Sequence, residues 1–359
     1  MQLPITGAFC TATALLMGVD TETEAPELII GERTVPLTVG GRIGRMRRTS
    51  PDASGEELRT RMAEDGYVYL PGLFRREDVL AAQRPMTQAM VEAGIVNPDG
   101  EERELLDDAN GGVPWQTGWL QEQPEVMRVV EGQELHGAFE RLFEEPAKTF
   151  DYKWFRSVPP GGSSQFHFDG IYMNRAGTPD QLEAGEEIGH RQHTVWVPWS
   201  DVPIGESGLC VVEGSHSLPG FHGLRETMGR IDVNYTEING GFAFADPLEV
   251  LAYDDKARVL TDDFQAGDVV ILTMFTLHGS TVNTSSQPRR LRLSCDIRFQ
   301  PQADAVDKRH TSDGRICRGI DEKNRHPGPH RSMREALEEW GLVREPIALE
   351  SLTHADAKL

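Results

Sequence analysis

The chain is short of cysteine, of basic residues relative to acidic ones, and of long apolar runs. Its four cysteines, Cys10, Cys210, Cys295 and Cys317, are scattered and form no C-x-x-C pair, which excludes a zinc knuckle or a redox dithiol. Cys210 and Cys295 fall inside apolar or strand-like runs and are expected as buried thiols, as in a reducing compartment. Lysine and arginine total 36 against 57 acidic residues, a formal net charge of −21. Such a surface repels a nucleic-acid duplex and an anionic membrane, so neither is expected as a partner. No stretch approaches the roughly 18 consecutive apolar residues of a membrane span. No lysine or arginine precedes Arg33, so the mildly apolar N-terminus lacks the basic start of a secretory signal. The expected location is the cytoplasm. The terminal Ala357-Lys358-Leu359 is close to a Ser-Lys-Leu peroxisomal address, which has meaning only in a eukaryote. No internal repeat is present, and Gly161-Gly162 lack the following Lys-Ser/Thr of a phosphate loop.

What is present is an ordinary globular composition, 38% hydrophobic and 26% charged, in 359 residues. That length suits two domains or one large β unit. Residues 1–50 read as an N-terminal extension, in which Glu27 to Val39 resembles two short strands around a turn. Glu56 to Phe74 reads as a helix followed by a short apolar strand. Helical patterns follow at about 76–94 and 125–145, with Leu80, Met86 and Met90 as core positions. From about residue 149 the texture changes to short strands and turns, continuing to about 300. Strands preceded by helices predict a mainly β fold with flanking helices and a sandwich or jelly-roll core. The principal domain is assigned to 51–302, with its β core at about 149–300, and 303–359 form a C-terminal extension with one helix near Ser332 to Trp340.

The chemistry centres on the segment QFHFDG. His167 and Asp169 are two apart, so on a strand both side chains point to one face, where an imidazole and a carboxylate can occupy adjacent positions on a metal. His278, ending the apolar run of TMFTLHGS, is the best candidate for a third ligand. Two histidines and one carboxylate make a facial triad that leaves positions open on Fe(II). The competing readings are a chance His-x-Asp and a structural histidine at a strand end. A later segment, PRRLRLSCD, bears on the choice. Arg290, Arg292 and Ser294 alternate onto one strand face, while Arg289 and Leu291 face the other way. An inward arginine on an apolar strand needs an anion. A dicarboxylate co-substrate meets that need, forked by a guanidinium with a serine hydroxyl beside it. A protein salt bridge is the alternative.

HFDGIYMNR, TVWVPWSDVP with SGLCVVEGSH, and GDVVILTMFTLHGSTVN with RRLRLSCDIRFQ together resemble the phytanoyl-CoA dioxygenase family over about residues 57–300. The resemblance implies a double-stranded β-helix (cupin-like jelly roll) and an enzyme using Fe(II), 2-oxoglutarate and O2 on a small-molecule substrate. It carries over His167, Asp169 and His278 as iron ligands. It further implies an arginine that grips 2-oxoglutarate. The family's usual spacing falls on Arg289, while the strand alternation favours Arg292, then Arg290, with Ser294 assisting. Trp196 matches a position beside the co-substrate or is core packing, and Thr194 shares its strand face. The retained carboxylate implies hydroxylation, with desaturation or ring formation open, since halogenases on this scaffold lack it. A cupin-like metalloenzyme indifferent to 2-oxoglutarate, or a non-catalytic small-molecule binding protein, are the rival readings. The first would leave Arg290 and Arg292 without a purpose, and the second would not need open metal positions. His190 and His193 have helical metal spacing where a strand begins, so a second metal site is not expected there. His216 reads as structural, and Tyr172, Met173, Asn174 and Arg175 as pocket lining or a loop anchor. Neither substrate identity nor oligomeric state follows from the sequence.

Overall fold

The computed structural model describes residues 26–106, 118–150, 153–173, 179–185, 189, 191–233, 236–306, 328 and 330–354. Two sheets dominate. The larger holds β4 (Tyr67–Leu70), β5 (Ala147–Thr149), β6 (Trp154–Val158), β7 (His193–Pro198), β11 (Val269–Thr273) and β13 (Arg292–Pro301), in the order β4-β11-β7-β13-β5 with β6 also on β13. The smaller has the order β12-β8-β10-β3, from β12 (His278–Ser280), β8 (Leu209–Glu213), β10 (Arg258–Thr261) and β3 (Ile43–Arg45). A hairpin of β1 (Glu27–Ile30) and β2 (Arg33–Pro36), and a short pair of β9 (Ile238–Asn239) and β14 (Arg331–Ser332), complete the strands. The expected mainly β fold with flanking helices is what the chain forms. Among the described residues no helix is long and apolar enough to cross a membrane.

Strand alternation decides the layers. In β4, Tyr67 and Tyr69 face one way and Val68 and Leu70 the other. In β7 the split is Trp196 against Val195 and Val197, and in β11 Val270 and Leu272 against Val269 and Ile271. The first set meets Leu209, Val211 and Leu260 of the smaller sheet, so the two sheets pack face to face. The second set is covered by helices α1 (Gly55–Asp65), α2 (Arg76–Glu92), α3 (Pro124–Val130) and α4 (Gln133–Phe143). Each Val, Leu, Ile or Phe fully buried there contributes about 1.5–3 kcal/mol. Met86 and Met90 lie in this helix-side core and Leu80 packs on it, as their spacing predicted.

The helical stretch expected over 125–145 divides in two, α3 and α4, at Gly132. A Cβ at Gly132 would stand 2.2 Å from the Arg128 carbonyl oxygen, so the chain turns a corner there that only glycine allows. Segments near both ends of the chain join or cover the smaller sheet. β3 pairs in parallel with β10, and Leu28, Ile30 and Val35 of the hairpin join Met333, Ala336 and Leu337 of the helix Met333–Glu339 on the outer face of the smaller sheet. That helix, foreseen near Ser332 to Trp340, starts in a capping box between Ser332 and Glu335.

Candidate active site

β13 carries the polar floor of the space between the sheets. Its alternation sends Leu293, Cys295, Ile297 and Phe299 to the helix-side core. Arg292, Ser294, Asp296, Arg298 and Gln300 therefore share the other face, and all five are buried. Buried charges of this density need partners, and each partner defines part of the site.

His167 forms an isolated antiparallel bridge with His278 of β12, the edge strand of the smaller sheet. The His167 N–H donates to the His278 carbonyl (2.9 Å) and the His278 N–H to that of His167 (3.1 Å). Gly279 makes this approach possible, because a Cβ there would stand 2.8 Å from the Ser164 carbonyl oxygen and 3.1 Å from the Phe166 nitrogen. Both imidazoles are tied through Nδ1 to a carbonyl two residues upstream, His167 to Gln165 (2.8 Å) and His278 to Thr276 (3.0 Å). With Nδ1–H so committed, Nε2 is the free donor on each ring. His167 Nε2 lies 3.7 Å from Asp169 Oδ1, and His278 Nε2 lies 3.9 Å from Asp169 Oδ2. The three ligand atoms all fall within 4.8 Å of one another, and all three residues are buried. The structure thus brings together the three residues that the sequence singled out.

The electrostatics suit a cation. Burial, reinforced by His278, pushes the His167 imidazole down to about 3, so it is neutral at pH 7, the form that binds metal. Burial by itself would raise the Asp169 carboxyl. Arg298, the two histidines and the Thr194 hydroxyl reverse this and hold it well below the ordinary carboxylate range. Arg298 Nη2 is 2.8 Å from Asp169 Oδ2, and the Thr194 hydroxyl donates to the same oxygen. Thr194 therefore supports the carboxylate rather than reaching separately into the pocket.

Arg292 is 2% exposed. Its Nε donates to the Ser207 carbonyl (3.1 Å), one Nη to the Ser207 hydroxyl (3.4 Å), and the other to the Ser294 hydroxyl. Among the described residues no carboxylate forms an ion pair with it. Burial, with Arg156 adding its like charge, pushes this guanidinium down to about 9. A buried cation held only by neutral oxygens is a site for an added anion. Ser207 is set in left-handed backbone (φ 60°), a conformation uncommon for a non-glycine residue, and it turns both its oxygens on Arg292. Trp196 belongs to the core between the sheets and lies near Arg292. It packs on Phe264 (4.9 Å between ring centroids) and lies 5.9 Å from the Arg292 guanidinium carbon.

Other candidates fall elsewhere. Arg290 precedes β13 and is paired with Glu206 (3.2 Å) and Glu101, so its charge is already met by protein carboxylates. His193 packs against Phe139 and Phe143 on the helix side, while His190 lies outside the described residues. His216 accepts a structural role, its Nε2 3.0 Å from the Ala63 carbonyl. The Tyr172 hydroxyl accepts from the Gly241 N–H (2.9 Å), and its ring lies 6.1 Å from that of His167. Asn174, Arg175 and the Met173 side chain lie outside the described residues. Sequence reasoning missed Arg298, Ser207 and the Arg156–Asp296 ion pair (2.5 Å). The alternation that marked Arg292 and Ser294 continues through Asp296 to Arg298, and following it further would have found two of these.

Comparison with known proteins places the chain among relatives. Two curated relatives, each named 1-deoxypentalenic acid 11-beta-hydroxylase, come from Streptomyces arenae and Streptomyces exfoliatus. Each is 26% identical over 255 residues, covering 66% of this chain and 78% of the relative. Among solved structures, the epimerase SnoN in complex with Fe3+, alpha ketoglutarate and nogalamycin RO is 19% identical. It covers 78% of this chain and 94% of its own, with a TM-score of 0.48. The sequence model of the family described as Phytanoyl-CoA dioxygenase (PhyH) matches residues 62–291, well over half of the chain and nearly the span of the resemblance. The chain belongs to the phytanoyl-CoA dioxygenase family.

Proposed function

We propose that the protein is an Fe(II)- and 2-oxoglutarate-dependent dioxygenase that hydroxylates an aliphatic C–H bond of a small-molecule substrate. The observation that carries this reading is a buried His-Asp-His cluster together with a buried arginine, Arg292, that forms no ion pair with a carboxylate among the described residues. The donor chemistry fits the cofactors. His167 and His278 offer free Nε2 atoms, Asp169 offers a carboxylate, and the triad leaves positions open. The two facing sheets support a jelly-roll, double-stranded β-helix reading of the core.

When bound, iron and 2-oxoglutarate supply the oxidative chemistry, in which dioxygen decarboxylates the co-substrate to succinate and CO2 and oxidises the substrate. The chain's own residues do the positioning. Arg292 takes the distal carboxylate of 2-oxoglutarate, with Ser294 and Ser207 fixing the guanidinium's plane. Trp196 walls the Arg292 side, and the Phe168 and Met274 side chains are buried nearby in the cores that keep water from the charged groups. Arg290 is assigned no such role. The two named relatives support a hydroxylation of a small organic acid as the model reaction.

The test is turnover of 2-oxoglutarate under air with Fe(II), read as succinate formed. Wild type is expected to form succinate even without its own substrate, slowly, and His167→Ala or Asp169→Ala to form none. Equal succinate from wild type and both variants would overturn the assignment of the metal site.

A further inference from the structure

Asp169 is held by more than a metal would require. Its Oδ2 receives Arg298 Nη2 at 2.8 Å and the Thr194 hydroxyl, with His278 Nε2 at 3.9 Å, while Oδ1 has His167 Nε2 at 3.7 Å and neither of those two donors. Arg298 is 5% exposed and sits on the same face of β13 as Arg292. Among the described residues its Nε has no hydrogen-bond partner, and Nη1 makes a long contact to the Ile297 carbonyl (3.4 Å). Thr194 stands opposite Arg298 in the β7–β13 register, so two neighbouring strands deliver a donor each to one carboxylate oxygen. Asp169 follows His167 on a separate segment, so this convergence is a tertiary feature.

A free carboxylate can bind a cation through one oxygen or two, and the second oxygen would fill a position that a facial triad leaves open. Resting on the functional reading above, we propose that Arg298, aided by Thr194, is a positioning residue that makes Asp169 a one-oxygen ligand. By occupying Oδ2 it keeps a coordination position free for the co-substrate. A merely structural ion pair would neutralise Asp169 without bias between its oxygens, and its loss would weaken the whole site together.

The experiment compares the full-length wild type with Arg298→Gln, Arg298→Lys and Thr194→Val. Mn(II) binding to the apoprotein is read from loss of the free Mn(II) EPR signal. Binding of 2-oxoglutarate to the Mn(II)-loaded protein is then measured by calorimetry, and the Co(II)-substituted proteins are compared by visible absorption. In Arg298→Gln, Mn(II) affinity is expected to hold or rise, because a neighbouring positive charge is gone. Its 2-oxoglutarate affinity is expected to fall by about tenfold or more, the usual scale for losing a group that orients a ligand. The Co(II) spectrum should weaken as coordination number rises, Arg298→Lys should recover most of the loss, and Thr194→Val should shift the same way by less. A folded Arg298→Gln that binds 2-oxoglutarate like wild type overturns the proposal. So does a parallel fall in Mn(II) and 2-oxoglutarate affinity. Should Arg298→Gln not fold, Thr194→Val decides, and wild-type co-substrate affinity there overturns it. A wild type that takes up Mn(II) but no 2-oxoglutarate refutes the functional reading itself, a result distinct from any of these.

Discussion

Replacing Arg292 by methionine separates co-substrate binding from stability. The guanidinium is buried and held only by Ser207 and Ser294 oxygens. A carboxylate bound there would receive two charge-assisted hydrogen bonds from it, each contributing about 1.5–3 kcal/mol. Losing both costs about 3–6 kcal/mol, and at about 1.4 kcal/mol per factor of ten the 2-oxoglutarate Kd rises by about two to four orders of magnitude. Stability should move the other way. Burial and Arg156 hold this guanidinium down to about 9, so the folded state carries a cost for the charge at neutral pH. Methionine fills similar space without that charge, and exchange of buried charge for apolar packing is often neutral or stabilising. The two serine hydroxyls left behind offset part of the gain. Calorimetric titration of 2-oxoglutarate into the Mn(II)-loaded protein, with thermal melts of the apoprotein, reads both. The expected pair is a Kd raised at least a hundredfold and a Tm unchanged or higher. A lower Tm with Kd within threefold of wild type would refute the reasoning, because Arg292 would then be a structural residue.

Other consequences follow from the same geometry. Gly279→Ala places a Cβ against the Ser164 carbonyl at 2.8 Å, which should push the His167 segment off β12 at a cost of about 1–3 kcal/mol. Mn(II) affinity should drop along with Tm, and a variant with wild-type Mn(II) affinity would contradict the cross-strand account. Arg290→Ala should leave 2-oxoglutarate affinity within threefold of wild type, since its partners are Glu101 and Glu206; a hundredfold loss would restore it as the gripping residue. Burial, then Glu213, raises the Asp65 carboxyl from 3.8 to about 6. A carboxyl raised in the folded state costs nothing while protonated, becomes costly as pH rises from about 4 to 6, and is fully costly at pH 7. Asp65→Asn should therefore stabilise the fold at pH 7.5, by about 1–2 kcal/mol after loss of the contact with Arg47 and read as a higher Tm, and lose that gain at pH 4. An equal gain at both pH values would show that charge is not the cause.

Period-two alternation was the most legible signal in the sequence. It put Arg292 and Ser294 on one face of β13 without knowledge of any partner strand, whereas His167 and Asp169, read the same way, come together through an isolated bridge and a turn. Arg290 obeyed the same alternation yet belongs to a different environment. The strand begins only at Arg292, and the acidic residues that claim Arg290 come from distant segments. Ser207 and Arg156 were invisible for a related reason: each reaches the site by strand pairing or by a turn, which one local window cannot display. The helix break at Gly132 depended on a corner taken against Arg128, and a single glycine in a helical pattern does not announce it. The mainly β layering was legible because each buried strand repeats its choice of face several times over.

The central claim is that His167, Asp169 and His278 hold ferrous iron while Arg292 holds 2-oxoglutarate upon it. Anaerobic addition of Fe(II) and then 2-oxoglutarate tests it most directly, through the weak visible charge-transfer absorption that a keto acid chelated to ferrous iron produces. The account expects the band in wild type, none in His167→Ala, and in Arg292→Met a band that appears only at far higher co-substrate concentration. No band in wild type at saturating 2-oxoglutarate, or an undiminished band in His167→Ala, would contradict it.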